Sequence, residues 1–300
     1  MARQEALQAL LERLDLTSTG TDEFRGESPP SPNGRIFGGL VLAQAMRAAF
    51  ATREERLAHS LHAYFLRPGN PDEPIVYEVD RIRDGRSFTT RRVVARQSGQ
   101  AILNMSVSFM TDEDGFEHQV DADVPAEVSG ASYEDELRRG LRAAGMTIPD
   151  DQPPQQPVEI RMVEPLRIFD EERYAPHMLS WLRSRGPLPE DPALHQCILA
   201  YASDLSVMVP AIHPHDVGLM SPGIHSASLD HAMWFHRPLR VDKWLYCVHE
   251  SPVSARARGF GMVHFYTREG TLVASCTQEG LIRRNSKKPN LRARLGGDNT

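Results

Sequence analysis

Tyr64-Phe-Leu-Arg-Pro68 returns in kind as Trp234-Phe-His-Arg-Pro238, about 170 residues further along a chain of 300. Self-similarity at so long a spacing is the mark of a duplicated unit. Each copy falls at the end of a strand-like run, Ser60–Leu66 and Ala227–Phe235, and each run is preceded by an apolar segment of helical length. Gly99 with the apolar strand after it matches Gly270 with its own at nearly the same offset. The repeat predicts one buried helix wrapped by an antiparallel sheet, twice, and neither a parallel sheet nor a single undivided core. Two such units can join their sheets edge to edge, which removes two exposed strand edges and leaves a groove at the junction.

Outward from the repeat, Glu5–Leu16 reads as a short amphipathic helix with Leu7, Leu10, Leu11 and Leu14 on one face. Phe24–Arg35 is rich in Pro, Gly and Ser and reads as loop. Gly38-Gly39 then opens the small-residue helix Leu40–Phe50, where close helix packing is a better reading than a phosphate cradle. Strands follow at Ile75–Val79, Phe88–Ala95 and Ala101–Phe109, with Asp84-Gly85 and Ser98-Gly99 where turns belong. From Thr111 to Gln156 the composition is acidic, rich in Pro and poor in aromatics, which reads as a linker holding one short helix, Tyr133–Ala144. Later strands are expected at Val158–Met162, Ser180–Arg183, Trp244–His249, Gly259–Tyr266 and Thr271–Thr277. The expected division is an N-terminal unit with its leading helix (1–110), a linker (111–156), a C-terminal unit (157–285) and a basic, polar, frayed tail (286–300).

The apolar run His195–Met208 reads as the second buried helix. At about 100° per residue it sets Cys197, Tyr201, Asp204, Leu205 and Met208 on one face and His195, Ser203 and Ser206 on the other. A carboxylate on the apolar face must find partners or take up a proton more readily than usual. Aligning the helices at Ala43 and Ala200 sets Arg47 opposite Asp204, and aligning the last strands at Gly99 and Gly270 sets Val107 opposite Gln278. A requirement of the fold would be met in both halves. Polar residues in the second half alone therefore favour a site-specific role for Asp204 and Gln278.

A net charge of -6 gives no electrostatic reason to expect nucleic acid or an anionic membrane as partner, and no apolar run is long enough to span a bilayer. Cys197, Cys247 and Cys276 lie in apolar runs, as small core residues of a reducing compartment do, so the expected location is the cytoplasm. No Gly-x-Ser-x-Gly elbow, phosphate loop or dinucleotide fingerprint is present. His213-Pro-His215-Asp216 has metal-like spacing but no further ligands, and reads as a polar loop, so neither metal nor cofactor is expected. Asp230-His231 and His236 suit acid and base work of the hydratase kind. Neighbours on a strand point to opposite faces, however, and the pair is read as surface or strand-edge polarity.

Phe37-Gly-Gly39 with Val41-Leu-Ala-Gln44, Asp84-Gly-Arg-Ser-Phe88, Leu199-Ala-Tyr-Ala-Ser-Asp204, Ser228-Leu-Asp-His-Ala-Met-Trp-Phe-His-Arg-Pro238, Ala257-Arg-Gly259 and Gln278-Glu-Gly280 together resemble the acyl-CoA thioesterase II family. The resemblance runs from about Phe24 to Arg284 and takes in both halves. It implies an α+β double hotdog fold and hydrolysis of fatty acyl-CoA by an activated water, with no metal and no covalent intermediate. It also implies a triad of Asp, Thr or Ser, and Gln, which falls on Asp204, Ser228 and Gln278. Leu40 stands where the family commonly has Gln, and Ser228 where Thr is frequent. The expected partners are an acyl-CoA substrate and further copies of the chain. The alternatives are a hotdog enoyl-CoA hydratase and a non-catalytic acyl-CoA-binding protein.

Overall fold

The computed structural model describes residues 2–31, 34–52, 56–143, 156–169, 172–221 and 223–284. The tail expected at 286–300 and the stretch 144–155 of the expected linker lie outside the described residues.

In the first half α1 (Ala2–Leu14) leads into the short hairpin β1 (Thr17–Gly20) and β2 (Glu23–Gly26), then α2 (Gly38–Ala51) and four strands: β3 (Leu57–Phe65), β4 (Ile75–Asp84), β5 (Phe88–Gln97) and β6 (Gln100–Met110). Between the halves lie β7 (Ala131–Ser132) and α3 (Tyr133–Ala143). The second half holds β8 (Val158–Met162), β9 (His177–Ser184), α4 (Pro192–Ser203), a 3-10 turn at Val209–Ala211, β10 (Ile224–Ser228), β11 (Asp230–Phe235), β12 (Leu245–Ala255), β13 (Arg258–Thr267) and β14 (Leu272–Arg284).

All the strands form one antiparallel sheet in the order β1-β2-β4-β5-β6-β3-β11-β14-β13-β12-β9-β8-β7, with β10 also paired to β14. The halves meet at the β3–β11 seam. There Ser60 lies opposite Trp234, His62 opposite Ala232 and Tyr64 opposite Asp230, so a pseudo-two-fold axis passes between His62 and Ala232. The repeated motif has a physical job at this seam. Arg67 donates from Nη1 to the Ala101 carbonyl (2.8 Å), and Arg237 donates in the same way to Leu272 (2.9 Å). Leu66 N–H bonds to Ile102 and His236 N–H to Val273, so each copy ties the end of its central strand to the neighbouring one.

Two expectations need correction. Phe24 lies in β2, not in a loop: the hairpin is polar and exposed at its outer strand, so alternation carries no sign of it. The run Ala227–Phe235 is two strands broken at Leu229, whose N–H bonds to Glu279 and whose carbonyl accepts from Phe65, while Asp230 Oδ1 accepts from the Glu279 N–H (2.7 Å).

The sheet wraps α2 and α4, which pack on each other in opposite directions. A Cβ on Gly39 at the start of α2 would fall 2.3 Å from the Tyr201 carbonyl near the end of α4, and Arg47 near the end of α2 reaches Asp191 at the start of α4 (3.7 Å). Close packing is thus what Gly39 allows. A helix buried on all sides is apolar all round, and α2 is buried from Gly39 to Phe50 apart from Arg47. Each fully buried Leu42 or Met46 contributes roughly 1.5–3 kcal/mol. Because the helices touch, the apolar core runs without a break from Leu42 and Met105 to Ile198 and Phe265. The expectation against a single undivided core is therefore wrong, although the two halves of the sheet repeat as expected. His195 and Ser203 are buried as well, since α4 has no solvent face, and so is Ser206 in the turn after it.

Candidate active site

α4 starts sharply. The Asp191 side chain accepts from the N–H groups of Ala193 and Leu194, and Pro192 occupies the first helical position. The helix ends at Ser203, and Asp204 is its C-cap, with its own N–H on the Ala202 carbonyl. The expected helix to Met208 is therefore too long, and Asp204 is presented by a chain turning away from the helix axis. Measured from the C-caps, Thr52 of α2, and not Arg47, stands opposite Asp204.

Two strands meet this turn. Ser228 ends β10, and Gln278 lies in β14 opposite Gly261 of β13. A Cβ on Gly261 would fall 2.0 Å from the Val207 carbonyl, so glycine there lets the segment after Asp204 lie directly on the sheet. The structure brings Asp204, Ser228 and Gln278 together: Ser228 Oγ donates to Asp204 Oδ1 (3.3 Å) and Gln278 Nε2 donates to Ser228 Oγ (2.8 Å). From the first half, the N–H of Gly39 also bonds to the Asp204 carboxylate. A Cβ on Gly38 would stand 2.8 Å from Asp204 Oδ2, so the glycine pair keeps the α2 N-terminus against the acid.

Asp204 keeps some surface toward a cavity but is otherwise enclosed by protein. Burial pushes its carboxyl above the usual carboxylate range, opposed by His231 nearby, by hydrogen bonds from Gln278 and the Gly39 N–H, and by the bond from Ser228. The cavity measures about 580 Å³ and carries Asp204, Ser228 and Gln278 on its wall. Both halves supply apolar lining, among it Ile36, Phe37, Val41, Phe65, Met208 and Leu281. Such a space suits an apolar chain that ends at a few converging polar groups. Leu40 is buried in the core and is not among the lining residues.

His231 is not a surface residue, contrary to expectation: it is 0% exposed, between Gln278 Oε1 (2.5 Å from Nδ1) and Ser203 Oγ (2.9 Å from Nε2). The signal was in the repeat, since matching Trp234 to Tyr64 sets His231 against Leu61. Asp230 faces away from it toward the Glu279 backbone, so the two do not assemble as an acid-base pair. His236 lies outside the site, bonded to Ser275 (2.9 Å). His213 is buried with Nδ1 near the Ala175 and His177 carbonyls, whereas His215 and Asp216 are exposed. Among the described residues no three His, Cys, Asp or Glu side chains come together as metal ligands. Cys197, Cys247 and Cys276 are buried and form no disulfide among the described residues.

Two helices wrapped by one antiparallel sheet define a double hotdog protein, here with an acid, a hydroxyl and an amide converging at an apolar cavity. The family profile described as acyl-CoA thioesterase matches residues 147–281, and that of the acyl-CoA thioesterase N-terminal domain matches residues 27–110. Acyl-CoA thioesterase 2 of Haemophilus influenzae is 35% identical over 284 residues, covering 93% of this chain and 98% of its own. Acyl-coenzyme A thioesterase 8 of Mus musculus is 35% identical over 287 residues, covering 90% of this chain and 87% of its own. The crystal structure of the acyl-CoA thioesterase II TesB2 from Mycobacterium marinum matches with a TM-score of 0.75 at 35% identity, over 93% of this chain and 99% of that one. The chain belongs to the acyl-CoA thioesterase II family.

Proposed function

We propose that this chain hydrolyses fatty acyl-CoA to free fatty acid and CoA by direct attack of a water held by Asp204, Ser228 and Gln278. Acyl-CoA thioester hydrolysis follows from family membership. The residue roles rest on one observation, the hydrogen-bonded run from Gln278 through Ser228 to Asp204 on the wall of an apolar cavity. The water oxygen attacks the thioester carbonyl carbon while Asp204 takes its proton, and a carboxylate held above its ordinary pKa is a stronger base for that step. The tetrahedral intermediate then expels the CoA sulfur, which leaves as thiol with the proton from Asp204. The Gln278 amide and the N-terminus of α2 are suited to stabilise the oxyanion. Ser228 positions the water. Its hydroxyl points into Asp204, and His231 bonds to Gln278 and Ser203 instead of Ser228, which argues against a histidine-activated nucleophile.

Residues 1–110 and 157–285 are read as the two duplicated units, with 111–156 joining them. A cytoplasmic homo-oligomer completes the reading. It is supported by three buried cysteines that form no disulfide and by Tyr64 and Phe88, exposed on the sheet at 60% and 39%. Light scattering of the purified protein checks the oligomer.

Thiol release across a chain-length series, with Asp204→Asn beside the wild type, tests the function. Turnover is expected in the wild type and a loss on the order of a thousandfold in the variant, with acyl-CoA still bound. Normal turnover by Asp204→Asn would show the proposed base to be wrong. Binding without thiol release by the wild type would point to a carrier, and hydration of crotonyl-CoA to a hydratase.

A further inference from the structure

We propose that His231 is a positioning residue: held as the Nδ1–H tautomer, it fixes the Gln278 amide at the head of a one-way chain of hydrogen bonds ending on Asp204. The inference rests on the reading of Asp204, Ser228 and Gln278 as the reacting site.

The donors can be assigned from the acid backwards. An ionised carboxylate only accepts, so the Ser228 hydroxyl must donate to Asp204 Oδ1. Its oxygen then accepts from Gln278 Nε2, which turns Oε1 of the same amide toward His231. A carbonyl oxygen 2.5 Å from Nδ1 needs a proton on that nitrogen. A neutral imidazole with its proton on Nδ1 has an acceptor at Nε2, and Ser203 Oγ stands 2.9 Å away to donate into it. Ser203 Oγ also stands 2.9 Å from the Ala200 carbonyl as a possible donor; one proton cannot serve both, and the Nδ1–H tautomer proposed here draws it to Nε2. Ser203, His231, Gln278 and Ser228 thus each donate to the next, and all the dipoles run toward Asp204.

The opposite amide orientation would set Oε1 against Ser228 and the carboxylate and an N–H₂ group against Nδ1–H. Ser228 and Asp204 select against it at one end of the amide, and the Nδ1–H of His231 selects against it at the other and holds Oε1 in place. Neutrality is consistent with the surroundings, since burial pushes the imidazole pKa down against the pull of Asp204 and the Gln278 bond. Nor does the fold demand a histidine here. The seam register matches His231 to Leu61 in the first half, where an apolar side chain fills the equivalent place.

Two measurements test the inference. In the wild type, ¹⁵N-detected histidine spectra should include an imidazole protonated at Nδ1 and bare at Nε2 through neutral pH that disappears in His231→Asn, while the one expected of His213, whose Nδ1 faces two carbonyls, remains. In turnover, His231→Leu should lower kcat on the order of tenfold to a hundredfold with KM nearly unchanged, as for other residues that orient a reacting group. His231→Asn, whose amide N–H falls near the place of Nδ1–H, should recover most of that loss. An Nε2–H tautomer or an imidazolium at neutral pH overturns the inference, and so does unchanged kcat in His231→Leu or failure of Asn to outperform Leu. If Asp204→Asn is inactive while His231→Leu is normal, only the positioning role fails. If Asp204→Asn turns over normally, the reading of the site fails and this inference with it.

Discussion

Below the C-terminus of α2 the first half buries a side chain, and below the C-terminus of α4 the second half leaves one out. Arg91 of β5 is 1% exposed, donating from Nε to Thr52 Oγ1 (3.1 Å) and from Nη2 to the Thr52 carbonyl (3.0 Å) and Asp84 (2.6 Å). Across the pseudo-two-fold its counterpart is Gly261, since Arg91 pairs with Val107 as Gly261 pairs with Gln278. In the first half a guanidinium closes the helix end. In the second half the backbone after Asp204 settles on the bare glycine, and the adjoining positions change from Leu61 and Val107 to His231 and Gln278. The comparison teaches that the polar site replaces packing in one copy while the other copy keeps the frame. The first half still contributes, through Phe37, Gly38 and Phe65 at the cavity.

The largest effect that would sharpen this contrast is at Ser228. Ser228→Ala should lower kcat about a hundredfold through loss of one contact to the attacking water, and Ser228→Thr should keep most activity. Equal losses in both would mean that the hydroxyl is not what matters. Next is Arg91→Ala, which removes the buried cation from Asp84 and Thr52 and should cost about 3 kcal/mol in urea unfolding while leaving kcat of the folded protein unchanged. A fall in kcat without a fall in stability would break the division between the halves.

The smallest effect concerns the sign of a stability change. The folded pKa of Asp204 is raised, so as pH rises past the ordinary carboxylate range the unfolded chain releases its proton first and stability falls until the folded pKa is passed. Asp204→Asn removes that penalty. Its urea midpoint should lie above the wild type at neutral pH and converge with it in acid; a lower midpoint at neutral pH would make Asp204 a structural support instead. For the same reason the acid limb of kcat/KM should lie above the ordinary carboxylate range.

Much of the frame was legible in the residues. The Arg-Pro motifs mark equivalent strand ends because each arginine holds the same kind of carbonyl on the next strand. The ladders set Val107 opposite Gln278, as the glycine alignment did, because turns at Ser98-Gly99 and Glu269-Gly270 fix the register of the strands after them. The helix alignment failed. α2 and α4 are apolar on every side and differ in length, 14 residues against 12, so no stripe sets their relative phase and Arg47 was matched to Asp204. Period two separates the faces of a strand without saying which is inside, so it does not show His231 to be buried, and the break at Leu229 leaves no mark because neither Gly nor Pro stands between Ile224 and Phe235.

The central claim is that water, not Ser228, attacks the thioester, and rapid-quench mass spectrometry of the wild-type protein with acyl-CoA tests it most directly. The account predicts CoA release without a burst equal to the enzyme concentration and no acyl group on Ser228 at any time in the first turnover. An acyl-Ser228 that forms and decays fast enough to carry turnover would contradict it.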